Sequence, residues 1–150
     1  MKRILVPTDF SPTSERALYF AANIVSKTEG TVILYHTYVP LESSFIAAES
    51  QREKYNTETE ETIIKRLQRL KNKVLDDTMN VSVSTIVGRA PLINNLLELA
   101  EQSQIDLIVM GTQGASGLKK IIMGSVAARV IEKSKLPVLL IPEKFEWKEP

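Results

Sequence analysis

Two short stretches of the chain carry residue types that suit ligand chemistry, and a third holds the histidine. The first is glycine-rich, Gly111-Thr112-Gln113-Gly114, and continues through Gly117 to Gly124-Ser125. Small residues let a phosphate group approach backbone amides. A helix opening near Ser125 adds unpaired N–H groups and a partial positive charge, and the Ser125 hydroxyl adds one more donor. Such a site holds a polyphosphate without any basic side chain. The second stretch is Pro7-Thr8-Asp9, where Asp9 is the sole acidic candidate for the same crevice. The third is His36-Thr37-Tyr38. His36 is the only histidine, and at a strand end it reads as a partner for a backbone group rather than as an acid or base. Lys119 and Lys120 read as solvated, or as steering an anion inward. Asp9 has a plainer reading as the brace of its own turn, and Ser125 one as a helix cap.

The absences narrow the chemistry. There is no cysteine, which excludes disulfides, iron–sulfur clusters, thiol catalysis and thiolate zinc sites. A single histidine excludes a multi-histidine metal site within one chain. Two common nucleotide motifs do not fit. A P-loop needs two glycines with four residues between them and then Lys-Ser or Lys-Thr; Gly111 and Gly117 are separated by five, and Leu118 follows. The dinucleotide pattern GxGxxG is missing, and no acidic ribose partner follows Thr37 until Glu42.

The elements that must position these stretches alternate. Arg3 to Val6, Thr31 to Tyr35, Leu107 to Met110 and Val138 to Ile141 are short apolar runs, the pattern of strands buried on both faces. Val81 to Val87 alternates with period two, which predicts a strand nearer a sheet edge; Gly88 is expected to end it. Ser11 and Pro12 predict a helix start, and Ala17, Leu18, Ala21, Ala22 and Val25 give that helix its apolar stripe. Val39 to Ser50 reads as a loop. A charged helix is expected over about Gln51 to Asp77, with Ile63, Leu67, Leu70 and Val74 on one face and an unanchored beginning from Glu53 to Glu61. Pro91 opens a helix with Leu92, Ile93, Leu96, Leu97 and Ala100 inward; Val126, Ala127, Val130 and Ile131 mark the last one. Phe145 to Pro150 is a tail in which Trp147 is expected to pack on the surface or at a subunit seam. The order β-α-β-α-β-α-β-α-β implies an α/β fold with a parallel sheet covered on both faces. Ligands then bind beyond the carboxyl ends of the strands, where strand order reverses.

The 150 residues fit one domain, 1–150. With 43% hydrophobic residues the chain can fill one core, and with 19 basic against 18 acidic side chains it lacks the global positive field of a nucleic-acid binder. No apolar run approaches the roughly 20 residues of a membrane helix. Met1 to Val6 enters a strand-like pattern at once, so a cytoplasmic protein without a leader is expected.

Gly111-x2-Gly114-x9-Gly124-Ser125, taken with Ile4-Leu5-Val6-Pro7-Thr8-Asp9-Phe10-Ser11, Ile33-Leu34-Tyr35-His36 and Pro137-Val138-Leu139-Leu140-Ile141, resembles the universal stress protein family over nearly the whole chain. The complete glycine motif resembles its ATP-binding branch. The resemblance implies a three-layer sandwich with a five-stranded parallel sheet in order 3-2-1-4-5, of the adenine nucleotide alpha hydrolase-like type. It also implies a homodimer paired through Val138 to Ile141, which protects that edge. By the same resemblance Asp9 lies near the ribose or a phosphate-bound magnesium, and Thr37 offers backbone groups to adenine. Pro7, Thr8 and Met110 wall the base and sugar. Gly111, Gly114, Gly124, Ser125 and Val126 hold phosphates. The sequence departs from many relatives in having neutral Gln113, and from some ATP binders in lacking a hydroxyl at Ala127.

The expected function is therefore a homodimeric ATP-binding module, with or without magnesium, in stress response or signalling. Two alternatives stand beside it: a slow magnesium-dependent ATP hydrolase, and a nucleotide-free dimer acting through protein contacts. An efficient hydrolase needs a positioned acid–base group and stabilisation of the γ-phosphate, and apart from Asp9 the sequence offers neither.

Overall fold

The computed structural model describes residues 1–42, 48–113 and 123–146. Among these residues nine elements alternate: β1 (Arg3–Pro7), α1 (Pro12–Ser26), β2 (Thr31–Tyr38), α2 (Glu49–Asp77), β3 (Ser82–Arg89), α3 (Leu92–Gln102), β4 (Leu107–Gly111), α4 (Ser125–Lys133) and β5 (Val138–Ile141). The sheet is entirely parallel, in order β3-β2-β1-β4-β5. β1 lies at its centre, in register with β2 from Arg3–Thr31 to Pro7–Tyr35 and with β4 at Ile4–Leu107 and Leu5–Ile108.

Period-two alternation along the strands divides the core into two layers. Ile4, Val6, Val32, Leu34 and Val109 face α1 and α2. Leu5, Ile33, Tyr35, Ile108 and Met110 face α3 and α4. Because both sides are buried, the central strands are apolar throughout, which is why they read as runs. The α1 stripe is fully buried from Ala17 to Val25, and Ser11 caps this helix by accepting from the Ser14 amide at 3.2 Å.

Several boundaries differ from expectation. β2 continues to Tyr38, and β3 runs from Ser82 through Gly88 to Arg89, because the two strands stay paired to Tyr38–Arg89. α2 is helical from Glu49 onward, including the stretch expected to lack anchors. Tertiary bonds anchor it. Asn56 grips the backbone of Leu41 at both its N–H (2.8 Å) and its carbonyl (3.1 Å). Glu60 accepts from the Tyr38 hydroxyl at 2.5 Å and from Arg89 at 3.1 Å. These two donors, Tyr38 first, hold the Glu60 carboxyl below its ordinary value; burial, followed by that carboxylate, pushes the Tyr38 phenol up.

On α4 only Ala127 and Val130 are buried, whereas Val126 and Ile131 are 38% and 44% exposed. A nine-residue helix with a single contact face cannot bury positions turned about 100° from it. On α3, Leu92 and Leu97 are half-buried and Ile93, Leu96 and Ala100 form the core face. Phe145 packs edge-on against Phe20 at 5.4 Å. Trp147, Gly114, Gly117, Lys119 and Lys120 lie outside the described residues, as do residues 43–47 of the expected loop. No helix among the described residues is long and apolar enough to cross a membrane.

Candidate functional site

β2 and β3 leave β1 on one side, β4 and β5 on the other, so strand order reverses between β1 and β4. At their carboxyl ends lies a cleft of about 330 Å³. Pro7, Thr8 and Asp9 enter it from β1, Thr37 from β2, and Met110 and Gly111 from β4. Gly124, Ser125 and Val126 enter from the start of α4. Nine of the ten residues singled out in the sequence therefore share one cleft; Gly114 is the tenth. Ser14, His36, Leu92, Thr112, Gln113 and Ala127 also line it. Ser14 carries no signal of its own in the sequence, and Leu92 reads there as a core residue of its helix.

The β1–α1 connection is internally bonded. Ser14 Oγ donates to the Ser11 carbonyl at 2.9 Å. Its one proton is then used, so at the 2.9 Å contact between Ser14 Oγ and Thr8 Oγ1 it is Thr8 that donates. Thr8 Oγ1 in turn accepts from the Phe10 amide at 3.0 Å. Thr8 is therefore a buried brace whose hydroxyl proton is spent inside the turn. Asp9 Oδ1 accepts from the Ser11 amide at 3.0 Å, an Asx turn, yet its side chain is exposed on the cleft. Both the bracing and the cleft-facing readings of Asp9 thus coexist. Phe10 pays for this tight turn with a left-handed backbone, φ 64°.

His36 bonds backbone, as expected: Nδ1 lies 2.7 Å from the Thr8 carbonyl oxygen. Phe10 stacks on the imidazole at 4.5 Å between ring centres, and the Arg66 guanidinium of α2 covers Phe10 at 3.9 Å.

The glycines act differently from a simple row of phosphate amides. A Cβ on Gly111 would stand 2.7 Å from Thr13 Cγ2, so this glycine lets the end of β4 lie against the start of α1. The Gly124 amide already donates to the Thr112 carbonyl at 2.7 Å, and the Thr112 amide donates to Ile141 O at 3.0 Å. Gly124 is the N-cap of α4, which places Ser125 at the first helical position and not at the cap. The first bond inside the helix runs from the Ala128 amide to Gly124 O. The amides without an intrahelical acceptor are therefore those of Ser125, Val126 and Ala127. Asp9 is the only acidic lining residue among those described, and none is Lys or Arg. No group of three or more His, Cys, Asp or Glu side chains suited to a metal occurs among the described residues.

A sequence profile of the universal stress protein family matches residues 1–142. The chain belongs to the universal stress protein family. Universal stress protein MJ0531 of Methanocaldococcus jannaschii is 35% identical over 142 residues, covering 93% of this chain and 81% of that one. Universal stress protein MJ0577 of the same organism is 32% identical, covering 95% of this chain and 96% of the relative. The solved structure of MJ0577 superimposes with a TM-score of 0.81 at 30% identity, over 97% of this chain and 98% of that one. Another universal stress protein, solved in complex with cAMP, gives a TM-score of 0.66 at 26% identity over 95% and 98% of the two chains. The 3-2-1-4-5 sheet is thus the universal stress protein sheet, and the cleft lies at its switch point.

Proposed function

We propose that the cleft binds an adenine nucleotide, with ATP and its magnesium ion as first candidate, and that the protein is a homodimeric binding module in stress response or signalling. One observation carries the reading. The open N-terminus of α4 and the Asp9 carboxylate line one cleft at the point where strand order reverses. The amides of Ser125, Val126 and Ala127 and the Ser125 hydroxyl suit phosphate oxygens. Thr37, at the end of β2, suits the base. Asp9 supplies a single carboxylate, which fits a magnesium ion held chiefly by phosphates and water. The relative solved with cAMP supports the adenine class. β5 exposes one edge, with Val138, Leu139 and Leu140 only half-buried, and a second copy paired there would cover it. Among the described lining residues there is no arginine for a γ-phosphate and no base besides Asp9 and His36, so turnover is expected to be slow or nil.

The test is to denature protein purified without added nucleotide and identify what it releases by mass spectrometry, beside a Gly124→Val variant. ATP or ADP near one per chain, lost in the variant while its circular dichroism is unchanged, is the expected result. No release, and no calorimetric binding of added ATP with magnesium, would sink the nucleotide reading and favour a dimer acting through protein contacts. Sedimentation of the same samples reads the dimer: a monomer at all concentrations removes that part.

A further inference from the structure

We propose that the side-chain hydroxyl of Thr37 is a specificity group of the cleft and hydrogen-bonds the amino-bearing edge of the base. This rests on the nucleotide reading above. Alternation along β2 fixes where the side chain goes. Leu34 faces α1 and α2, Tyr35 faces α3 and α4, and Thr37, two residues on from Tyr35, shares the Tyr35 face. Met110, Leu92 and Ala127 belong to that face too, and all three line the cleft with Thr37. The half-buried Thr37 side chain therefore stands in the cleft wall.

Its surroundings leave the hydroxyl free. Thr37 pairs with Gly88 of β3, which has no side chain. A Cβ on Gly88 would run into the Tyr35 hydroxyl, so that hydroxyl fills the place of a cross-strand neighbour beside Thr37. Neither hydroxyl bonds a protein group among the described residues, although Tyr35 is only 2% exposed. Fully enclosed side-chain polar atoms among those residues all have partners, so these two are open to solvent or ligand. The hydroxyls of Thr8 and Ser14, by contrast, are engaged with each other and with the Ser11 carbonyl.

The backbone of Thr37 brings the base to this hydroxyl. The Tyr35 carbonyl accepts from the Thr8 amide on the β1 side, and the Tyr38 carbonyl accepts from the Ala90 amide on the β3 side. Thr37, in step with Tyr35, directs its N–H and C=O toward β1, whose pairing with β2 ends at Pro7. A donor and an acceptor side by side suit a ring nitrogen beside an amino group. Phosphates at the start of α4 lie past β4, two strand spacings or about 10 Å from β2, so Thr37 meets the base and not the phosphates.

The experiment measures calorimetric affinities, with magnesium, for ATP and five analogues. Three of them each lack one group of that edge: purine riboside triphosphate lacks the amino group, and 1-deaza-ATP and 7-deaza-ATP lack a ring nitrogen flanking it. The other two, 2′-deoxy-ATP and 3′-deoxy-ATP, lack a ribose hydroxyl. The proteins are wild type, Thr37→Val, which keeps the branched shape and deletes the hydroxyl, and Thr37→Ser, which keeps the hydroxyl. Thr37→Val is expected to bind ATP about 5-fold more weakly, the value of one neutral hydrogen bond, and Thr37→Ser to stay within about twofold of wild type. The loss in Thr37→Val disappears for one of the three base analogues, which names the atom, and persists for both deoxy analogues. Undiminished ATP affinity in Thr37→Val, a loss that persists with all three base analogues, or a loss that vanishes with a deoxy analogue overturns the proposal. A wild type that binds none of the six nucleotides overturns the function proposed above, and this inference with it.

Discussion

Gly111→Ala tests how the end of β4 meets α1. The added Cβ would lie 2.7 Å from Thr13 Cγ2, 3.2 Å from Thr13 Cβ and 3.3 Å from Gln113 O. The first distance is not tolerated, and Thr13 is 5% exposed, so its methyl has little room to move. Overpacking of this kind costs roughly 1–3 kcal/mol. For a chain of 150 residues that is a fall in Tm of about 2–4 °C per kcal/mol. Thr13→Ser removes the offending methyl and alone costs about 1 kcal/mol of lost burial. In the double variant that methyl is absent, and the milder contacts with Thr13 Cβ and Gln113 O remain. The two substitutions are then non-additive by about 1–2 kcal/mol, the double variant being more stable than the sum predicts. Urea unfolding at constant m-value reads all four corners of the cycle. Additivity within about 0.5 kcal/mol would refute the claim that Gly111 is glycine because α1 lies against it. Nucleotide affinity on the same four proteins then separates the two demands on this residue. Recovery of affinity with stability marks Gly111 as a packing residue; stability without affinity marks a ligand that needs the bare backbone.

Other outcomes follow from the geometry. Asp106 accepts from the amides of Lys2 (2.7 Å) and Arg3 (3.0 Å), and these bonds hold its carboxyl below the ordinary value of 3.8. A lowered carboxyl contributes stability above the unfolded-state value and loses it as pH falls through the folded one; Asp106→Asn is therefore expected to lower stability at pH 7 and to flatten the acid limb of Tm against pH. Leu67 of α2 is fully buried, so Leu67→Ala is expected to cost about 2–5 kcal/mol in urea unfolding. Asn56→Ala frees the backbone of Leu41, and hydrogen exchange at the Leu41 amide is expected to rise by at least tenfold while the central strands keep their protection.

Much of this architecture was legible in the chain, for identifiable reasons. The central strands are enclosed by helices on both faces, so selection for burial left uninterrupted apolar runs at Ile4 to Val6 and Leu107 to Met110. Ser11-Pro12 marked α1 because a cap is a local device. The cleft was legible because small residues mark its rim: glycine at 111, where a Cβ would stand 2.7 Å from Thr13 Cγ2, and Gly124-Ser125 at the opening of α4. What escaped depends on partners distant in sequence. The polar end of β2, His36 to Tyr38, is held as strand by β3 and by Glu60 of α2, and nothing within those three residues announces it. The engaged amide of Gly124 is hidden in the same way, since its acceptor sits twelve residues earlier. Val126 reads as core by type, but the orientation of α4 leaves it exposed at the cleft, where the family resemblance had put it.

Thr112 joins two parts of the molecule with one peptide unit on either side of its Cα. Its amide is fastened to the last residue of β5, and its carbonyl holds the amide of Gly124. In kinematic terms the outermost strand and the mouth of the cleft are links of one short chain. At 3.0 and 2.7 Å neither joint has slack to absorb a shift of an ångström. A displacement of β5 must either break one of these bonds or carry the first turn of α4 with it. For as long as both bonds hold, the edge of the sheet and the mouth of the cleft are fastened to each other through one residue.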